Sequence, residues 1–97
     1  MKSLEFDWDH AKSRSNKKKH GISFEESQSV FEDQSARLIP DPDHSGNEDR
    51  FILLGLSGDL RILVVCHCYR EDDTLIRIIS ARKANRKETL FYEENLP

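Results

Sequence analysis

Residues 50–82 read RFILLGLSGDLRILVVCHCYREDDTLIRIISAR. Apolar runs at 51–56, 60–69 and 75–81 are separated by Ser57-Gly58-Asp59 and by Glu71-Asp72-Asp73. Short runs rich in Ile, Leu and Val, bounded by Gly and Asp, read as strands. The connections are too short for helices, so the pairing is expected to be antiparallel. Alternate residues of a strand share a face. In the middle strand, Leu60, Ile62, Val64, Cys66 and Cys68 form one set and read as the core face. Arg61, Leu63, Val65, His67 and Tyr69 form the other, apolar in the middle and polar at both ends, so partial cover is expected there. In the third strand the same alternation groups Leu75, Arg77, Ile79 and Ala81.

Working outward, residues 4–8 alternate and read as a short edge strand. Asp7 or Asp9 can cap a helix over 10–19, which Gly21 ends. Its basic end is the C-terminal one, where the helix dipole favours cations. Its only evident anchors are Trp8 and Ala11, so it is expected on the surface of the core. Ser23 and Glu26 fit a capping box for a second helix, stopping near Asp33. Residues 35–40 read as a strand closed by Pro40. Residues 41–49 are acidic and turn-rich and read as an exposed loop. Asn85 and Glu88 suit a second capping box, opening a helix over 86–96 with Leu90, Phe91 and Leu96 as apolar positions. The order β-α-α-β-β-β-β-α predicts an α+β fold, an antiparallel sheet with helices packed on it.

The chain has 97 residues, and 1–97 is expected to form a single domain. No apolar stretch approaches a membrane span. The N-terminus has no basic region followed by an apolar segment, so no signal peptide is expected. Cys66 and Cys68 lie two apart on one strand and are poorly placed to bridge each other, so buried reduced thiols are expected. The net charge is −3, from 15 basic and 18 acidic residues. That total argues against a nucleic-acid binder, but the distribution does not. Lys12, Arg14, Lys17, Lys18 and Lys19 cluster without an acid, as do Arg82, Lys83, Arg86 and Lys87. Local fields matter more than the total.

Lys12, Asn16, Lys19 and His20 share a helix face suited to phosphates, or form a solvated lysine-rich surface. Trp8 reads as a packing anchor or as a stacking platform for a base. His67 stands inside the strongest strand, and across the short turn it is expected to approach Arg77. Arg50 and Arg82 bound the three-strand region. An imidazole among guanidiniums suits phosphodiester chemistry, because His moves protons near neutrality and Arg stabilises phosphoryl charge. The other reading keeps His67 as a hydrogen-bonded strand residue and pairs the arginines with Glu48, Asp49 and the acids at 71–73. Cys66-His67-Cys68 is a poor metal site, because a strand sends His67 away from both cysteines.

Phe6-Asp7-Trp8-Asp9, Lys12, Asn16, Lys19-His20-Gly21 and Ser23-Phe24-Glu25-Glu26 resemble the opening signature of the BrnT toxin family. Asp41-Pro42 through Ser45, Glu48-Asp49-Arg50-Phe51 and Gly55 resemble its middle. Arg77-Ile78-Ile79-Ser80-Ala81-Arg82-Lys83-Ala84, with Glu88 and Tyr92, resembles its end. The resemblance implies a RelE-like fold and a cytoplasmic endoribonuclease toxin of a type II toxin–antitoxin pair. It implies RNA as substrate, a BrnA-type antitoxin as partner, operator DNA reached only through that antitoxin, and neither metal nor other cofactor. On this reading His67, Arg77 and Arg82 are the catalytic candidates. Lys12, Lys19 and Arg50 contact RNA, and Trp8, Glu88 and Tyr92 give support. The rival reading is a non-catalytic module that holds an antitoxin in a repressor complex.

Overall fold

The computed structural model describes residues 4–41 and 49–97. The elements run β1 (Glu5–Asp7), α1 (His10–His20), α2 (Phe24–Ser29), a 3-10 turn (Val30–Glu32), β2 (Arg37–Pro40), β3 (Phe51–Leu56), β4 (Ile62–Arg70), β5 (Leu75–Lys83) and α3 (Arg86–Glu93). Most of the loop expected at 41–49 lies outside the described residues.

Local chemistry sets the helix ends. The Asp9 carboxylate accepts from Lys12 N–H at 3.0 Å, and Gly21 closes α1 at φ +75°, donating to the Lys17 carbonyl at 2.8 Å. The Ser23 hydroxyl caps α2 at Glu26 N–H, 3.1 Å away. Asn85 and Glu88 complete a reciprocal capping box on α3. Residues expected as one helix from Ser23 to near Asp33 instead form α2 and a tighter 3-10 turn. That turn packs directly on β3. A Cβ at Gly55 would stand 2.8 Å from Ala36 Cβ and 2.9 Å from Val30 Cγ1, so only glycine permits this approach.

The five strands form one sheet in the order β1-β5-β4-β3-β2. The β2–β3–β4–β5 pairings are antiparallel, and β1 lies parallel to β5 at the edge. On one face, Ile22, Phe24 and Val30 pack against Leu53, Leu63, Val65, Ile78 and Ala81. On the other, Tyr92 of α3 covers Leu54 and Val64, with Ile52, Leu56 and Ile62 around them. The two faces of β4 therefore reverse the expected ranking. Leu63, Val65 and His67 are the fully buried set. Leu60, expected in the core, is 79% exposed in the β3–β4 turn at φ +62°. Leu90 and Leu96 are exposed, and Tyr92 is the buried anchor of α3 instead.

The register between β4 and β5 slips once. Cys66 pairs with Ser80, but His67 pairs with Ile78, leaving Ile79 without a partner. This extra residue is a β-bulge, and it exchanges the faces of everything beyond it. Ile76, Ile78 and Ala81 are all buried toward the α1–α2 side, while Arg77 pairs with Cys68 and points to the opposite side. The expected grouping of Leu75, Arg77, Ile79 and Ala81 fails for that reason, and so does the approach of Arg77 to His67.

His67 is completely buried in an aromatic cluster. Its ring centroid lies 4.9 Å from Phe31, 5.2 Å from Tyr69 and 6.3 Å from Phe51. Nδ1 lies 3.2 Å from the Val65 carbonyl and Nε2 lies 3.3 Å from the Tyr69 hydroxyl. Desolvation lowers its pKa below the usual 6.5. A histidine depressed in this way stabilises the fold fully above its unfolded pKa, and that stabilisation is lost as pH falls through the folded value. Urea unfolding between about pH 7 and 5 should show the wild type losing stability on acidification and His67→Phe losing less. Parallel profiles would exclude His67 as the source of the acid sensitivity.

Candidate nucleic-acid interface

The construction of the site begins at Asn16, a buried amide on an otherwise exposed helix. Because β1 is three residues long, its ladder with β5 ends at Arg77. Farther along β5, Asn16 takes the place of a strand partner. Its Nδ2 donates to the carbonyls of Ala81 and Ile22, both at 2.9 Å, and its Oδ1 accepts from Ala81 N–H at 3.1 Å. These bonds satisfy strand groups that burial would otherwise leave unpaired. Asn16, expected among the phosphate-facing residues, is thus a clamp. It fixes the C-terminal end of α1 against β5 beside the bulge.

Fixed there, α1 supplies one wall of a cleft of about 300 Å³. His20, Arg50, Arg82, Asp41, Cys66 and Ser80 line it. A second hollow of about 210 Å³, lined by Lys12, Ser15, Lys19 and again His20, Ile79 and Ser80, continues along α1. The helix and the bulge thus bring Lys12, Lys19, Arg50 and Arg82 into one basic trough, with His20 at its junction. The Asp41 carboxylate lies 3.6 Å from Cys66 Sγ. Burial and that carboxylate push the Cys66 thiol up to about 11, so it stays protonated at neutral pH.

Two of the expected catalytic residues lie elsewhere. His67 is buried on the other side of the sheet. Arg77 holds Asp7 of β1 at 2.6 Å and does not line the cleft. Arg82 does line it. Its guanidinium grips Glu88 through two bonds, Nη1 to Oε1 at 2.8 Å and Nη2 to Oε2 at 2.9 Å, and donates to the Lys83 carbonyl at 3.3 Å. Three of its five N–H donors are used, leaving two on a fork fixed in direction. The hydrogen bonds from Arg82 hold the Glu88 carboxyl below the usual range despite partial burial.

Trp8 stands edge-to-face on Phe24, with centroids 6.1 Å apart, so it packs. Tyr92 donates to Asp33 Oδ2 at 2.6 Å, and the same oxygen accepts from Leu56 N–H at 2.8 Å. Burial works to raise the Asp33 pKa, but bonds from Leu56, Tyr92 and Ser35 outweigh it and the net shift is downward. Trp8 and Tyr92 therefore anchor elements around the site. His20 was visible in the sequence only as one member of a basic face. The signal available was its place just before Gly21, at the end of α1. Among the described residues no group of three or more His, Cys, Asp or Glu is placed to hold a metal ion.

A sheet that is antiparallel except for its edge strand β1, with α2 packed on one face and the C-terminal helix α3 on the other, is a RelE-like fold. The sequence profile described as "Ribonuclease toxin, BrnT, of type II toxin-antitoxin system" matches residues 8–88. The chain belongs to this BrnT family. The crystal structure of the Brucella abortus ribonuclease toxin, BrnT, is similar in fold, with a TM-score of 0.64 at 23% identity over 87% of this chain and 100% of that one. No curated protein sequence matches the chain.

Asn16→Ala leaves both backbone groups of Ala81 and the Ile22 carbonyl without this partner. It should destabilise the fold by about 1–3 kcal/mol in urea unfolding. Asn16→Asp keeps the acceptor but loses both donors, so it should not restore stability. Full stability in Asn16→Asp would remove the donated bonds from the account.

Proposed function

We propose that this protein is a metal-independent endoribonuclease that cuts single-stranded RNA in the cleft between α1 and the bulged end of β5. One observation carries the reading: His20, Arg50 and Arg82 line a single cleft that Lys12 and Lys19 extend along α1. Family membership supports ribonuclease chemistry and an antitoxin partner.

The substrate 2′-hydroxyl attacks the adjacent phosphorus, and the bond from phosphorus to the 5′-oxygen breaks. Cleavage leaves a cyclic 2′,3′-phosphate and a 5′-hydroxyl. His20 is assigned the proton-moving role that the strand pattern had given to His67, because it lines the cleft beside Arg50 and Arg82 and stands where the two hollows meet. The two uncommitted N–H groups of Arg82, with Arg50, face the phosphoryl oxygens as charge develops. Glu88 positions Arg82. Lys12 and Lys19 hold neighbouring phosphates. The protein acts in the cytoplasm and is neutralised there by a BrnA-type antitoxin, through which the pair reaches operator DNA.

Single-turnover cleavage of a defined RNA in chelator, at saturating protein, tests the roles. Arg82→Ala should slow cleavage on the order of 10²-fold with little change in RNA affinity, since its bonds strengthen in the transition state. His20→Ala should slow it by roughly 10²–10⁴-fold. Lys12→Ala should mainly weaken binding and flatten its salt dependence. Arg77→Ala should slow cleavage less than Arg82→Ala. Wild-type rates in both His20→Ala and Arg82→Ala would exclude this cleft, and cutting of the same sequence as DNA would exclude attack by the 2′-hydroxyl.

A further inference from the structure

Beside the basic cleft, on the face of the sheet that α3 covers, lies an apolar hollow of about 280 Å³. Ile39, Ile52, Leu54, Val64 and Phe91 line it. Ile52 and Val64 also line the cleft, so the two spaces share a wall. The ion pair of Arg82 and Glu88 marks their boundary, because Arg82 lines the cleft and Glu88 lines the hollow. Phe91 is braced from β2 by Arg37, whose guanidinium carbon lies 4.6 Å from the ring centroid. Ile39, on the same outermost strand, is 37% exposed.

A phosphate held by Arg50 and Arg82 carries a nucleoside on either side. In single-stranded RNA the bases of those nucleosides can splay out and offer their flat faces to a protein. Aromatic and aliphatic walls next to the phosphate site withdraw such a face from water. The same walls read base edges poorly. The hydrocarbon side chains carry no donor or acceptor, and the Glu88 carboxylate already accepts from Arg82 twice and from Asn85 N–H. Among the described residues that line the hollow, Lys87 is the one other polar side chain, and its ammonium sits on a flexible stem. Contact with the face of a base therefore dominates over pairing with its edge.

We infer that the hollow is a base subsite: a nucleotide beside the cut lays its base against Phe91, Ile39 and the wall of Ile52 and Val64, while its phosphate lies in the basic cleft. The subsite reads the presence of a base and not its identity. It also gives the choice of single strands a physical cause, since a paired base must first be unstacked to enter. The inference rests on the ribonuclease reading for the strand that occupies the cleft, but base binding is measured without cleavage.

The probe is a short fluorescent 2′-O-methyl RNA, which lacks the attacking hydroxyl and stays intact. Matched probes each lack one base. Anisotropy titrations compare wild-type protein, Phe91→Ala and Ile39→Asn, with folding verified by far-UV circular dichroism. Ile39 lies at the surface, so its variant carries the test if Phe91→Ala does not fold. Removing the base at one position should weaken wild-type binding about tenfold. The intact probe should bind Phe91→Ala about tenfold more weakly and Ile39→Asn about threefold more weakly. In both variants the missing base should cost less than in the wild type, because its wall is already damaged. Exchanging that base for any of the others should matter less than removing it. Equal binding of every abasic probe would overturn the subsite, as would an undiminished penalty for the missing base in both variants. Wild-type affinity of both variants for the intact probe would also overturn it, by giving the hollow to another occupant. Discrimination among bases larger than the effect of removal would overturn recognition by the face. Coupled losses of binding without any cleavage by the wild type would keep the subsite and defeat the ribonuclease reading. Cleavage that no missing base affects would do the reverse.

Discussion

Across β4 and β5, Cys66 faces Ser80 and the next residue, His67, faces Ile78. One unpartnered residue, Ile79, separates two stretches of ladder with opposite facing. Because side chains alternate with a period of two, this slip decides which residues of β5 enter the core. It buries Ala81 and Ile78 together, three positions apart, and turns Arg77 and Arg82 to the other face. Without it, Arg77 would stand on the His67 side. The charge distribution of the sheet follows from one inserted residue.

The bulge also re-aims the strand where α1 meets it. Asn16 holds the backbone of Ala81 where β1 no longer reaches. A helix whose apolar content is too small to dock by hydrophobic burial is therefore fixed by three hydrogen bonds. Each is worth about 1 kcal/mol net, while leaving such a buried group unpaired costs more. This asymmetry makes the docking specific in register. It sets Lys12, Lys19 and His20 along the trough rather than around a loosely held helix.

The cleft is basic although the chain is acidic, because His20, Arg50 and Arg82 gather around Asp41, the one carboxylate among the described residues that line it, while other acids are paired with cations. Glu26 pairs with Arg61, Asp7 with Arg77 and Glu88 with Arg82. The Glu88 pair is partly exposed, so it contributes little to stability. It orients a guanidinium instead, at the point where α3 begins. Asp33 joins the 3-10 turn, β3 and α3 through bonds from Ser35, Leu56 and Tyr92. The residue that fixes Arg82 thus lies in the first turn of the helix that Asp33 ties to β3.

The amino-acid sequence by itself determined the element order, because apolar periodicity, Gly and Asp punctuation and capping residues act over a few positions. The meander from β3 to β5, the caps at Ser23 and Asn85 and the stop at Gly21 were all legible in that way, and the cap of α1 was narrowed to Asp7 or Asp9, of which the structure uses Asp9. So was the family, through motifs spread along the chain. Tertiary structure alone decided which face of β4 is more deeply buried, since both sets of alternating residues are apolar enough to enter a core. It alone placed the bulge, because nothing in RIISAR marks Ile79 as the residue that loses its partner. It alone separated His67 from His20: buried and exposed imidazoles look alike in a sequence, and their difference is made by Phe31 and Phe51, which arrive from other elements and pack on His67 beside Tyr69 of its own strand. Asn16 read as a surface polar residue for the same reason, since its partner at Ala81 lies 65 residues away.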